Sequence, residues 1–235
     1  MKRKLALMLV LMMLVTLFGG CGGNEESDDG TQASQGAEGG GSDSDTLVIL
    51  SSGAFQGAWD PTGNTILSNK HLEWNVFDRA IHKDADGNYI PGVCESWEYQ
   101  EDGYTLRLKV REGVKFHDGS DLTAEDVAAT VEWTTRPESA RVSDWGCQFQ
   151  ANVIDEYTVD IWPETETPVA NLIDMLAADA ILSADDIENG TLDTTMNGCG
   201  PYKFVKYENE YCYLEAFEDY WDTENAAKMQ YCEYR

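Results

Sequence analysis

Basic residues are scarce in this sequence, which has 16 Lys and Arg against 43 Asp and Glu and a formal net charge of −27. A chain this acidic repels phosphate groups, and this excludes nucleic acid as a partner. For the same reason, the folded part is not expected to lie on an anionic lipid surface. The acidity most simply provides a soluble surface, and it favours cationic ligands only weakly.

Histidine is also rare, with His71, His82 and His117 as its three occurrences. The sequence contains neither an H-E-x-x-H zinc motif nor a G-x-S-x-G nucleophile elbow. His117 belongs to an F-H-D-G segment and is more simply a turn residue, while close carboxylate pairs are expected by chance among so many acids. The sequence therefore predicts no enzyme and no cofactor, and a secreted hydrolase is a weaker alternative.

The six cysteines show no C-x-x-C spacing, so a zinc site is not indicated. Five of them lie in the part of the chain expected to fold: Cys94, Cys147, Cys199, Cys212 and Cys232. Because five is odd, at least one thiol is unpaired within the chain. Cys212 and Cys232 stand in two alternating segments and could form a cross-strand disulfide in an oxidising compartment. The simpler alternative is that these residues are small buried hydrophobic side chains.

A calcium loop is excluded at Asp84–Asn88, although acids and an amide alternate there. The sixth position of such a loop must be Gly, but it is Tyr89, and Pro91 forbids the helix that would follow. A hairpin turn is the better interpretation, and no metal site is predicted.

The sequence has no hydrophobic run long enough to span a membrane. Leu5–Phe18 is 14 residues long and apolar except for Thr16, whereas a spanning helix needs about 20 residues. The basic residues before this run, and the two glycines and Cys21 after it, predict a lipoprotein signal peptide at residues 1–20, with Cys21 as the lipidated residue. Phe18 departs from the usual Leu three positions before the cysteine. An ordinary signal peptide and a short membrane anchor are the alternatives.

Gly22–Asp45 contains no aromatic residue, Leu, Ile, Val or Pro, and it has seven acids and no base. Such a segment has nothing to bury. As a Gly-rich coil it would span about 25 to 30 Å. Residues 21–45 are therefore predicted to be an acidic tether that a lipidated Cys21 would fix at a membrane.

The folded part, from Thr46 onward, alternates strand and helix signals. Thr105–Val110 has the period-2 pattern of a half-buried strand, and Thr123 stands three residues before Asp126 in a near capping box. The spacing in Leu72–Ile81 is helical. Two further helices are predicted to begin at Thr167–Pro168, as N-cap and N1, and at Ser183, which Asp186 follows.

Several of these signals occur in one fixed order within Val93–Trp133, from E-S-W through an acidic turn and a strand to R-x-G-V-K-F-H-D-G and T-A-E-D-V. Asn197–Val205, N-G-C-G-P-Y-K-F-V, and the later Y-W pair form a second block. This order resembles the peptide, nickel and oligopeptide-binding family of extracytoplasmic solute-binding proteins of ABC importers. Cys199 replaces the usual Thr, which puts any hydroxyl hydrogen bond at this position in doubt.

The resemblance implies a mixed α/β fold of the type II periplasmic-binding-protein class, in which two lobes enclose a solute. The family's proteins are longer than this chain, so a truncated product without the second lobe is expected, and Met229–Tyr234 would be a last strand without its partners. The expected organisation is as follows: first part of lobe I at 46–80, a small extra domain at 81–175, and a return to lobe I at 176–235.

The implied function is that of a lipid-anchored, monomeric receptor outside the cytoplasm, which captures a peptide-like solute and delivers it to an ABC permease. Other solutes of the family, including nickel chelates and sugars, are alternatives. An adhesive surface lipoprotein is a further alternative function, since abundant Trp and Tyr could stack on carbohydrate.

The expected ligand-binding residues follow from the family's pattern, in which the loop after an L-D-P turn and the stretch after the T-A-E-D-V helix face the cleft. Here the turn is W-D-P, and the residues are Thr65, Ile66, Leu67, Ser68, Arg141 and Trp145. From the residues alone, Arg141 is more simply a solvated surface charge, and Trp145 is equally well explained by packing.

Overall fold

The computed structural model describes residues 45–51, 53–63 and 66–235. The signal peptide at residues 1–20, Cys21 and most of the tether at 21–45 lie outside the described residues, as does Thr65. The described elements are β1 (Thr46–Ile49), α1 (Leu67–Val76), β2 (Ile81–Lys83), β3 (Tyr89–Pro91), β4 (Cys94–Tyr99), β5 (Leu106–Val110), α2 (Ala124–Thr134), α3 (Val142–Trp145), β6 (Phe149–Asp155), β7 (Thr158–Pro163), α4 (Leu172–Leu176), α5 (Ala184–Asn189), β8 (Tyr202–Glu208), β9 (Tyr211–Ala216) and β10 (Tyr231–Tyr234).

The first sheet has the strand order β1-β10-β9-β8. β10 is parallel to β1, with Thr46 opposite Tyr231, and antiparallel to β9. The expectation that the last strand would lack partners is therefore wrong, because β10 is hydrogen-bonded on both sides. The short first strand, in contrast, pairs on one side only within the described part of the chain.

The second sheet has the order β4-β5-β7-β6 and is antiparallel throughout. Its β5 strand confirms the period-2 prediction, since Leu106, Leu108 and Val110 are fully buried and the residues between them are only half-buried. A separate hairpin joins β2 to β3. Its turn confirms the interpretation of Asp84–Asn88, because Asn88 and Gly87 close a tight loop on Asp84.

Helix α2 covers this second sheet by packing against β6 and β7. The Thr123 side chain accepts a hydrogen bond from the backbone of Glu125, and the carboxylate of Asp126 accepts one from the backbone N–H of Thr123 at 2.8 Å. This reciprocal arrangement is the predicted capping box. Helix α5 confirms its predicted start as well, because the Ser183 side chain accepts a hydrogen bond from the backbone of Asp186.

Two helix predictions need correction. The helix predicted from Leu72–Ile81 is α1, which begins earlier and ends at Val76, because the backbone at Phe77 is extended. The helix predicted at Thr167–Pro168 begins only at Leu172, with Asn171 as its N-cap residue. Thr167 instead pairs its hydroxyl with that of Thr165, and the chain turns there before the helix can start.

The hydrophobic residues form two clusters, one around α2 and the second sheet and the other between α1 and the first sheet. The cysteines contribute to both. Among the described residues they are all free thiols, so the Cys212–Cys232 disulfide does not form. The register explains this, because Cys212 lies opposite Tyr234, and Cys232 lies opposite Leu214.

Candidate functional site

The predicted residues after β1 lie at the start of α1. Ile66 is the N-cap residue, with an extended backbone and no side-chain cap. Leu67 follows with 60% of its surface exposed, whereas Ser68 is buried and donates a hydrogen bond to the carbonyl of Ala54 at 2.9 Å. Leu67 is therefore open to contact with a solute, while the hydroxyl of Ser68 fixes the preceding loop.

Asn69 attaches the same loop to α1 through both ends of its amide. Its Nδ2 donates to the carbonyls of Gln56 at 3.1 Å and Ala58 at 3.2 Å, and its Oδ1 accepts from the backbone N–H of Gln56 at 3.2 Å. The side chain is fully buried, so these bonds satisfy an amide that would otherwise destabilise the fold. These bonds thus hold the loop beside the first turn of the helix.

Arg141 and Trp145 meet on one carboxylate, that of Asp179. Arg141 donates from Nε to Asp179 Oδ1 at 2.8 Å, its Nη2 forms an ion pair with the same oxygen at 2.7 Å, and Trp145 donates from Nε1 to Oδ2 at 2.6 Å. Arg141 also pairs with Asp144 and is therefore not a solvated charge. Trp145 is only 2% exposed and packs edge-on against Phe149, with 5.0 Å between the ring centroids.

The W-D-P turn connects these two groups of residues. Thr62 accepts a hydrogen bond from the backbone N–H of Ala140 at its carbonyl, at 3.1 Å, and one from Arg136 at its hydroxyl, also at 3.1 Å. Asp60 accepts from the backbone N–H of Thr62 at 2.8 Å and closes the turn. The chain before α1 is therefore fastened to the segment that leads into Arg141.

A cavity of about 20 Å³ lies between α1 and the segment around Asp179. Its walls include Lys70, Glu73 and Trp74 from α1, one helical turn beyond the predicted residues. Lys70 donates to the carbonyl of Pro61 at 2.6 Å and to Glu73 Oε2 at 2.8 Å. This polar recess was not predicted from the sequence, and it is lined by Asp179, the partner of Arg141 and Trp145, rather than by the predicted residues themselves.

Burial shifts the pKa of two charged groups in this recess, Glu73 and Arg79. It raises the pKa of Glu73 above its ordinary value, although the nearby Lys70 opposes the shift. Burial also lowers the pKa of Arg79, against the opposing effect of Asp78 and Glu73. Charges of both signs are thus held in a partly desolvated place, where their fields act more strongly than in water.

The recess adjoins an open groove of about 840 Å³, and Trp74, Arg79 and Ala178 line both. Trp74 is 56% exposed, and the guanidinium of Arg79 lies 5.9 Å from the centre of its ring. An exposed tryptophan beside fixed charges suits noncovalent binding of a polar organic molecule. The only sequence signal for Trp74 is its position in the helix. It lies between the buried residues Leu72 and Val76 but is not on the helix face that they form.

Neither a metal centre nor a membrane span is found in the described residues. No group of three or more His, Cys, Asp or Glu side chains within them could hold a metal ion. None of the helices in this part of the chain is long and apolar enough to cross a bilayer.

The fold is that of the type II periplasmic binding proteins. It matches NikZ from Campylobacter jejuni in complex with Ni(L-His), with a TM-score of 0.66 and 23% identity, over 81% of this chain and 39% of that one. The oligopeptide-binding protein AppA from Bacillus subtilis, in complex with a nonapeptide, matches with a TM-score of 0.68 and 22% identity, over 80% and 39%.

Residues 88–235 match the family described as bacterial extracellular solute-binding proteins, family 5 middle. The chain belongs to this family. It is 27% identical over 211 residues to the dipeptide-binding protein of Escherichia coli K12, covering 76% of this chain and 38% of the relative. It is 28% identical over 145 residues to the glutathione-binding protein GsiB of Pectobacterium atrosepticum, covering 59% and 28%. The chain thus spans well under half the length of these relatives.

Proposed function

We propose that this chain is the solute-contacting first part of a receptor that captures a peptide-like solute outside the cytoplasm and delivers it to an ABC permease. Membership of a family of solute-binding proteins carries the proposal, and the groove beside Trp74 supports it. Binding is noncovalent, and the chain is not an enzyme.

A peptide-like solute is favoured by the relatives and by the chemistry of the site. The relatives include proteins named for binding dipeptides and glutathione. A peptide carries an ammonium, a carboxylate and amide groups, and the groove offers Arg79 and the flat face of Trp74 to such groups. A nickel chelate is the second candidate, because NikZ holds Ni(L-His). Sugars and other solutes are weaker candidates than the nickel chelate.

The proposed mechanism is closure of two lobes about a hinge. Residues 46–80 and 176–235 would belong to the first lobe, and residues 81–175 to a small extra domain beside it. The solute would lie against Thr65, Ile66 and Leu67 on one side, where the buried Ser68 holds the adjoining loop in place, and against the surface that Arg141 and Trp145 support on the other. The closed form, a monomer, would then dock on the permease.

Cys21 would anchor the receptor to the outer face of the cell membrane after removal of residues 1–20, with residues 21–45 as the tether. Metabolic labelling with a radioactive fatty acid tests this proposal. We expect label in the wild type and none in Cys21→Ser, which should leave the membrane fraction. Label that persists in Cys21→Ser would contradict the anchor without bearing on solute binding.

Thermal-shift screening against peptide, nickel-histidine and sugar libraries tests the solute class. A ligand that binds only the native state at 100 times its Kd stabilises that state by about 2.7 kcal/mol, which is a readily measured shift. We expect short peptides to raise the unfolding midpoint and sugars to leave it unchanged. A cooperatively folded protein that responds to no member of any library would argue against a receptor.

A further inference from the structure

Two buried polar atoms in the wall of the recess have no hydrogen-bond partner within the described part of the chain. They are Oε1 of Glu73, a residue only 4% exposed, and Oγ1 of Thr134, which is fully buried. Both residues line the same cavity of about 20 Å³. An unsatisfied buried polar atom destabilises a fold, so two of them at one cavity call for a common explanation.

The neighbouring groups do not satisfy these atoms. Lys70 donates to the other oxygen of Glu73, Oε2. Thr135, the residue after Thr134, bonds back to the carbonyl of Val131 at 2.9 Å, as threonines in helices often do, but the hydroxyl of Thr134 makes no such bond. Thr134 is the last residue of α2 and lines the cavity.

The cavity has the size and polarity that an internal water requires. One water molecule needs about 10 to 15 Å³ of cavity volume and two to four polar partners. A metal cation fits less well, because Lys70 and Arg79 already place positive charge in the same walls. A water molecule can donate one hydrogen to a carboxylate and still bond to a hydroxyl.

We propose that this cavity binds a single water molecule, which donates to Glu73 Oε1 and forms a second hydrogen bond with Thr134 Oγ1. The water links α1 to the end of α2 in a cavity that Trp74 also lines. It is a positioning element, because α1 carries both Trp74 and the predicted residues of its first turn. This link does not depend on the identity of the solute.

Substitution of Thr134 distinguishes a cavity that holds a water molecule from one that does not. Thr134→Val keeps the shape of the side chain but removes the hydroxyl, whereas Thr134→Ser keeps the hydroxyl. If the water is bound, valine removes one of its two partners, the water is lost, Glu73 Oε1 is left unsatisfied, and the Tm should fall by about 3 to 8 °C. Without the water, valine merely removes an unsatisfied hydroxyl, and the Tm should stay the same or rise.

Oxygen-17 magnetic relaxation dispersion, which counts long-lived internal waters, provides the second measurement. We expect Thr134→Val to have one such water fewer than the wild type and Thr134→Ser to have the same number. An unchanged count in Thr134→Val together with an unchanged or higher Tm overturns the proposal. If Thr134→Val does not fold, a high-resolution crystal structure of the wild type decides: density within hydrogen-bond distance of both oxygens supports the water, and a dry cavity refutes it.

Discussion

Trp221 donates a hydrogen bond from its indole nitrogen to the carboxylate of Asp78 at 2.9 Å, across 143 residues of the chain. Asp78 is almost fully buried and also accepts hydrogen bonds from Tyr220 at 2.9 Å and from His82 at 2.5 Å. One carboxylate thus joins the end of α1 to β2 and to the Y-W pair. Burial alone would raise the pKa of Asp78, but hydrogen bonds from His82, Arg79 and Trp221 outweigh this effect and lower it.

Asp78→Asn should therefore lower the free energy of unfolding by about 3 to 5 kcal/mol, since it removes the charge from a buried, fully bonded group. Urea denaturation measures this value. Asp121→Asn is the matched control, because its carboxylate pairs with Lys115 on the surface, and such a pair contributes about 0 to 1 kcal/mol. Equal losses in the two variants would show that the Asp78 network does not stabilise the fold.

Gly198 is required for space at the contact between the G-C-G-P-Y block and α1. A Cβ atom at this position would lie 2.0 Å from the carbonyl oxygen of Val76, and Gly200, two residues later, donates its backbone N–H to the same oxygen at 2.9 Å. Gly198→Ala should reduce stability by at least about 3 kcal/mol, because the backbone must move. Gly57→Ala, where no atom lies within 4 Å of the new Cβ, should have little effect. Chemical denaturation of both variants tests the contrast, and a stable Gly198→Ala protein would disprove it.

The parts of the fold that the sequence predicted are those that local chemistry determines. The β5 strand and the Thr123 capping box each depend on residues within a few positions of one another. The late start of α4 was missed because a residue with positive φ, Glu166, and a pair of threonine hydroxyls turn the chain just before it. No local pattern shows these features.

The candidate site illustrates the same limit. The family resemblance directed attention to Arg141 and Trp145, but not to the carboxylate of Asp179, on which both converge. Lys70 and Asp179 line one cavity although they are far apart in the sequence. The proximity of Lys70 and Asp179 depends on how α1 packs against the segment after α4, and the spacing of residues in the sequence does not predict this packing.

His117 should make the protein sensitive to mild acid. Burial, followed by the charge of Lys203, lowers its pKa from 6.5 to about 4, although its hydrogen bond with the carbonyl of Gly200 opposes this. The folded state therefore resists protonation, while the unfolded chain takes up a proton below pH 6.5. Stability should fall between pH 6.5 and about 4, by up to about 3 kcal/mol, and this contribution should not change further below that range.

The variant His117→Gln isolates this contribution, since every carboxylate titrates alike in both proteins. We expect the difference in unfolding free energy between wild type and variant to shrink as the pH falls from 6.5 to 4. Urea titrations at a series of pH values measure it. A difference that stays constant across this range would show that His117 is already protonated, or freely protonated, in the folded state.

The cysteines should differ sharply in reactivity. Burial raises the pKa of Cys94 and Cys212 to about 12 and that of Cys232 to about 11, whereas Cys147 is the one described cysteine that is not buried. Because the thiolate is the reactive form, a maleimide should label Cys147 first in the native protein and the other four only after denaturation. Peptide mapping by mass spectrometry identifies the labelled sites. Early modification of Cys232 would indicate that β10 opens readily.

Trp74 provides the most direct test of the candidate site. Because more than half of its surface is exposed, Trp74→Ala should leave the unfolding midpoint nearly unchanged. An aromatic anchor that packs against a solute contributes more than about 1 kcal/mol to binding, so the same change should weaken binding of the peptide identified by screening by about tenfold. Tyr99→Ala is the control, since Tyr99 is also exposed but lies on β4 and does not line the recess or the groove. Isothermal titration calorimetry compares the three proteins. Equal affinities in all of them would place the solute elsewhere, because an exposed tryptophan cannot line an occupied cleft without contributing apolar contact to the solute.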